Sequence, residues 1–325
     1  MILVTGGAGF IGSNLVARLV GDGHDVVVCD TVENDTKRGH LSGLTVREIV
    51  PPRGLDDLLA RHARDVERVY HLGAITSTFE TNIERLTETN VHLSQRLWRW
   101  CLEREVPLVY ASSAATYGEG ENGFRDDDSP KALARIRPLN AYAQSKHAFD
   151  EWVVRQAAEG TAPPSWHGLK YFNVYGPHED HKGVMRSLVA KAYPKAARGE
   201  SVALFRSHRP DYVDGGQKRD FAYVRDCVDV TTWIAERRPK NGIYNVGTGR
   251  AQSWLELIEA LFAALRKPPR IEWEDIPEQI RERYQYFTEA DVSKLRAAGY
   301  GRPFLTVEEG VRDYVETYLS VRSTS

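Results

Sequence analysis

Short apolar runs alternate with stretches of helical period through the first half of the chain. "ILVT" at 2–5 and "DVVVCD" at 25–30 read as strands, and a helix from about Phe10 to Asp22 lies between them. "VERVYHLG" (66–73) and "VPLVYASS" (106–113) read as two more strands. They flank a helical stretch, "NIERLTETNVHLSQRLWRWCLERE", in which Leu86, Asn90, Leu93, Leu97 and Cys101 fall on one face. Strand–helix–strand alternation with turn-sized gaps predicts an α/β fold whose parallel sheet is covered on both faces. From about residue 174 the pattern loosens, with "HEDHKG", "SHRPDYVDGGQ" and "RKPPR" as loops. Two later helices announce themselves by capping boxes, Ser253–Glu256 and Thr306–Glu309.

The first loop carries chemistry. "VTGGAGFIGSNLV" holds Gly7, Gly9 and Gly12 in a G-x-G-x-x-G frame and Gly6, Gly9 and Gly12 in a G-x-x-G-x-x-G frame. In either frame, missing side chains let backbone approach a pyrophosphate, and the N–H groups opening the next helix face its charge. Asp30 answers from the end of the second strand, 18 residues after Gly12, which is the context expected of a dinucleotide site. The sheet is therefore expected to be a Rossmann-type, doubly wound one. Asp30 suits a ribose 2′-hydroxyl and so NAD. Lys37 and Arg38, a few residues on, suit a 2′-phosphate and so NADP, or form only a solvated loop.

"NAYAQSK" puts Tyr142 and Lys146 one helical turn apart. A cation one turn away favours the phenolate of a tyrosine, which can then exchange a proton with a sugar hydroxyl as hydride leaves or returns. The strand end "VYASSAATYG" offers Ser113 to hydrogen-bond the reacting oxygen, with Ser112 and Thr116 as competitors. Ala114 and Ala115 beside it carry no acid or base, which argues against a dehydratase. His71 reads as a packed residue at a strand end.

Composition then narrows the partners. The chain has 325 residues and a formal net charge of −2, so there is no electrostatic reason to expect nucleic acid or an anionic membrane. No apolar run approaches the roughly 20 residues needed to span a bilayer, and "MILVT" enters glycines directly rather than forming a signal peptide. Cys29, Cys101 and Cys227 are scattered without metal-ligand spacing; they read as reduced core thiols of a cytoplasmic protein, and no metal is expected.

The residues resemble the extended short-chain dehydrogenase/reductases, an NAD(P)-dependent epimerase family. More narrowly, "CLEREVPLVYASSAATYG", "YFNVYGPHEDHKG", "KRDFAYVRD", "NVGTGRAQSW" and "RYQYFTEADVSKLRAAGYGRPF" resemble its branch acting on nucleotide-activated heptoses. The resemblance implies a cytoplasmic, homo-oligomeric isomerase of lipopolysaccharide core synthesis that holds NADP, with NAD as the alternative. The implied substrate is an ADP-heptose-type nucleotide sugar, inverted at C6 from the D-glycero to the L-glycero form. Oxidation to a ketone, rotation about C5–C6 and reduction on the other face need a second proton donor, and the resemblance gives that role to Lys182. Lys182 binding only nicotinamide ribose or phosphate is the competing role. A 4-epimerase, a net dehydrogenase and a non-catalytic binding protein are the competing functions.

The resemblance also implies cofactor contacts at Gly6, Gly9, Phe10, Ile11, Gly12, Asp30, Thr31, Lys37, Leu72, Gly73, Ala74 and Asn90, besides Tyr142, Lys146 and Lys182. It implies substrate contacts at Ser113, Asn173, Val174, Val184, Lys191, Phe205, Arg219 and Tyr284. Three departures fall near the expected sugar pocket: Val184 in place of a serine, a longer loop at 206–217, and "TSTFETN" after the fourth strand. The expected division is 1–172 with 220–248 as the dinucleotide-binding part, and 173–219 with 249–325 as the smaller, loop-rich substrate lobe.

Overall fold

The computed structural model describes residues 1–32, 35–281 and 284–322, without the side chain of Gln279. Seven strands form one parallel sheet: β1 (Ile2–Thr5), β2 (Val26–Cys29), β3 (Glu48–Val50), β4 (Arg68–His71), β5 (Leu108–Ser113), β6 (Trp166–Tyr171) and β10 (Gly242–Val246). Their spatial order is β10-β6-β5-β4-β1-β2-β3. β1, β2, β6 and β10 are buried throughout, as expected of strands with helices on both faces. Chain order reverses between β1 and β4, and the crevice at such a switch point is where this architecture binds ligands.

The remaining strands are β7 (Asn173–Tyr175), β8 (Val202–Phe205), β9 (Lys218–Tyr223), β11 (Ala251–Ser253) and β12 (Ile271–Glu274). They make a three-stranded sheet, β11-β9-β7, and a parallel pair, β12-β8. The helices Leu188–Arg198, Trp254–Ala264 and Val307–Tyr314 close over them around a second apolar core that includes Tyr175, Val189, Leu261 and Val311. Both expected capping boxes form, at Ser253–Glu256 and Thr306–Glu309. Ile11 and Val174 pack against this core and the core of the large sheet alike, so the ground between the two parts is fixed by shared side chains.

Two features differ from the sequence expectations. The stretch expected as one α-helix is interrupted by a π turn at Thr87–His92, between Ile83–Leu86 and Leu93–Glu103. Helix Ser293–Ala297 does not stay with the smaller lobe: Leu295 and Tyr300 join the large sheet's core, and Lys294 donates to the Ile243 carbonyl of β10.

Candidate active site

A cavity of about 800 Å³ opens at the switch point, with walls from both parts of the chain. Its floor is the glycine loop. Gly6 has φ +69°, and a Cβ there would lie 2.6 Å from the Gly73 nitrogen; a Cβ on Gly12 would lie 2.0 Å from the Gly6 carbonyl oxygen. No side chain fits at either place, so a ligand can reach the backbone where helix Phe10–Gly21 begins. Asp30 is engaged on both oxygens: Oδ2 accepts from the Ala8 N–H at 2.9 Å, and Oδ1 accepts from the Thr31 N–H and pairs with Lys37 at 2.8 Å.

Helix Ala141–Ala158 starts under an Asn140 cap whose side chain accepts the Ala143 N–H. Tyr142 and Lys146 therefore face the cavity from one stripe of its first two turns. Lys146 is 4% exposed, no side chain or carbonyl of the described residues accepts a hydrogen bond from it, and burial pulls its ammonium down to about 8. The phenol of Tyr142 moves the other way: burial raises it, opposed by a hydrogen bond with Ser113. The expected pull of Lys146 is not among the effects on Tyr142, whose phenol burial and Asp150 raise and Ser113 lowers. Among the candidate hydroxyls, Ser112 donates to Asp150 at 2.7 Å and Thr116 to the Ser113 carbonyl at 2.8 Å, leaving Ser113 beside Tyr142.

Lys182 enters from the opposite wall on a short 3₁₀ stretch, Asp180–Met185. Its Nζ lies 4.9 Å above the Phe10 ring, with no carboxylate of the described residues within ion-pair distance. Burial lowers its pKa, opposed by Glu179. The stretch is tied down on both flanks. Glu179 accepts from the Ser187 N–H and hydroxyl and from Tyr314, and Asp180 accepts from Tyr318 and Arg322.

A model of the NAD dependent epimerase/dehydratase family matches residues 2–247. The chain belongs to that family. It is 44% identical to the ADP-L-glycero-D-manno-heptose-6-epimerase of Nitratidesulfovibrio vulgaris and 41% identical to that of Fusobacterium nucleatum, over 98% of each chain. Among solved structures, the Helicobacter pylori ADP-L-glycero-D-manno-heptose-6-epimerase is similar with a TM-score of 0.79 and 27% identity, covering 97% of this chain and 95% of that one. The Thermus thermophilus UDP-glucose 4-epimerase in complex with NAD gives 0.75 and 29%, covering 97% of each.

Of the residues expected to serve such an epimerase, most line the cavity: Gly6, Gly9, Phe10, Ile11, Gly12, Asp30, Lys37, Leu72, Gly73 and Ala74 on the dinucleotide side, and Asn173, Val174, Lys191, Phe205 and Tyr284 on the other. Four do not. Val184 is 75% exposed and faces away, so the hydroxyl it lacks is missing from no cavity wall. Arg219 lies behind the wall, its guanidinium 5.7 Å from the Trp254 and Tyr284 rings and bonded to the Lys218 and Gln285 carbonyls. Asn90 is buried, bonded to Ile75 and Ser145 rather than lining the cavity, and Thr31 is exposed. His71 is packed, bonding Thr5 at 2.7 Å and Ser94 at 2.8 Å. The lining also holds His181, Arg186, Trp254 and Glu274, which the sequence did not single out. Arg186, a cation one turn past Lys182, was the legible one.

Proposed function

We propose that this epimerase inverts C6 of an ADP-activated heptose, interconverting the D-glycero and L-glycero forms through a transient ketone. The reading rests on full-length likeness to heptose 6-epimerases and, above all, on Lys182 facing the same cavity as Tyr142 and Lys146. A 4-epimerase turns its sugar around one acid–base group and leaves a second without work.

The residues present fit a nicotinamide cofactor: the glycine cradle excludes any Cβ, and the Lys146 ammonium reaches the cavity without a protein acceptor. A nicotinamide cofactor held by the glycine loop and Lys146 would supply hydride exchange at C6. Tyr142, steadied by Ser113, takes the proton of the C6 hydroxyl. The ketone then turns about C5–C6, which carries its oxygen away from Tyr142. Lys182 hands a proton to the oxygen in its new place, and exchange with solvent then returns a proton to Lys182 and removes one from Tyr142 before the next passage in the same direction. Burial, which lowers the pKa of Lys182, eases that release. Lys191 and Arg186, cations in the other half of the cavity, meet the diphosphate. NADP is favoured over NAD by the Lys37–Asp30 ion pair, which offsets the carboxylate charge that would repel a 2′-phosphate.

Lys182→Ala decides between the readings. Inversion at C6, followed by NMR of the sugar, is expected to fall by about 10²-fold or more, with cofactor still bound. Interconversion at the wild-type rate would end the two-base proposal.

A further inference from the structure

Beneath the Tyr142–Lys146 pair lies a second pair that the reaction leaves without a task. Asp150 follows Lys146 by one turn on the same face of the helix and is fully buried; Lys170, on β6, is 1% exposed. The Lys170 ammonium meets Asp150 Oδ2 at 2.7 Å. The same oxygen accepts the Ser112 hydroxyl at 2.7 Å, and Oδ1 accepts the Tyr110 hydroxyl at 3.0 Å. Lys170 also donates to Thr116 at 2.6 Å and rests 4.9 Å from the Tyr117 ring centre.

Taking two charges fully out of water costs several kcal/mol each, and a buried ion pair often does no better for stability than an apolar pair of similar shape. This network, however, touches the working residues at two points. Thr116, held by Lys170, donates to the Ser113 carbonyl, and Ser112, held by Asp150, is the residue before Ser113 on β5.

We propose that Asp150 and Lys170 are positioning residues, a closed charge pair that holds the Ser112–Ser113 strand end in place and balances the charge reaching the Lys146 ammonium from below. The proposal rests on Tyr142 and Lys146 being the working pair. The two charges act on Lys146 in opposite senses: Asp150 raises its pKa and Lys170 lowers it, against a larger downward pull from burial. The other titratable groups near it are shifted chiefly by burial. His71 on β4 is pushed down to about 3 by burial, with Lys146 adding to the effect, and burial raises the Tyr110 and Tyr142 phenols. His147, also on the helix, is lowered by burial too.

The test is the titration of Lys146 in the purified, cofactor-loaded protein, read from the ¹³Cε resonance of labelled lysine and assigned by loss in Lys146→Arg. Asp150→Asn is expected to move the midpoint to lower pH and Lys170→Met to higher pH, each by about one unit, a tenfold change in the protonation equilibrium. Lys170→Arg, which keeps charge and donors, is expected to leave it in place. Should Asp150→Asn fail to fold, the contrast between Lys170→Met and Lys170→Arg carries the test alone. Midpoints that stay at the wild-type value, or that move the same way in Asp150→Asn and Lys170→Met, overturn the proposal. Opposite shifts in a protein that inverts no nucleotide sugar would refute the function and leave the charge pair standing.

Discussion

At the residue scale, the proposed preference for NADP rests on Asp30 and Lys37. A bare carboxylate there would bond a ribose diol and repel a phosphate. Here both oxygens are taken and the charge is offset by an ammonium 2.8 Å away. Lys37→Ala is expected to weaken NADP binding by roughly ten- to a hundredfold, since charge-assisted bonds contribute about 1.5–3 kcal/mol, while NAD binding changes little. Titrating the cofactor-free protein with each nucleotide checks this; equal loss for both would remove Lys37 from the 2′-position. The pairing of Asp30 with Lys37 is not a sequence pattern, because the six residues between them could have carried the lysine either way. Tyr142 teaches the same lesson, in that its neighbour in sequence was legible but the desolvation that raises its phenol was not.

At the element scale, the π turn at Thr87–His92 has a local partner. Asn90, on that turn, accepts the Ile75 N–H at 2.8 Å, donates to the Ile75 carbonyl at 3.0 Å and donates to Ser145 Oγ at 2.9 Å. It therefore ties the loop after β4, whose residues 72–74 line the cavity, to the helix bearing Tyr142 and Lys146. π turns recur at functional sites for this kind of local re-aiming. Asn90→Ala would strand two buried backbone groups, at an expected cost of about 1–3 kcal/mol. Chemical denaturation measures that loss, and an unchanged midpoint would show that the clamp carries no load. Cofactor affinity should fall with it, through the loop rather than through lost contact.

At the scale of the whole molecule, acid should find the weak points. His71 and His167 are buried and His178 is half-buried, and burial lowers them to about 3, 4 and 4. In the unfolded chain each protonates near 6.5. The unfolded state thus binds more protons, and stability that is full above about pH 6.5 is lost as the pH falls towards 4. The slope is about 1.4 kcal/mol per pH unit for each histidine. Asp226, raised by burial to about 6, works in the opposite sense over part of that window and offsets about one of the three. Unfolding free energies measured from pH 7 to pH 4 should therefore decline; a flat profile would mean these rings are not held neutral.

The alternation of apolar runs by itself determined the parallel sheet, the glycine loop at its first turn and the Tyr142–Lys146 stripe, because those patterns are local: period 2, period 3.6 and spacings of a few residues. The capping boxes were legible for the same reason. Only the tertiary structure decided which side chains share a cavity. Lys182 reaches Phe10 across 172 positions of chain, Arg219 turns behind Trp254, and Val184 faces solvent. Direction across a packed interface depends on neighbours from distant segments, and burial, which resets the Tyr142 and Lys146 protons, exists only once those segments have closed.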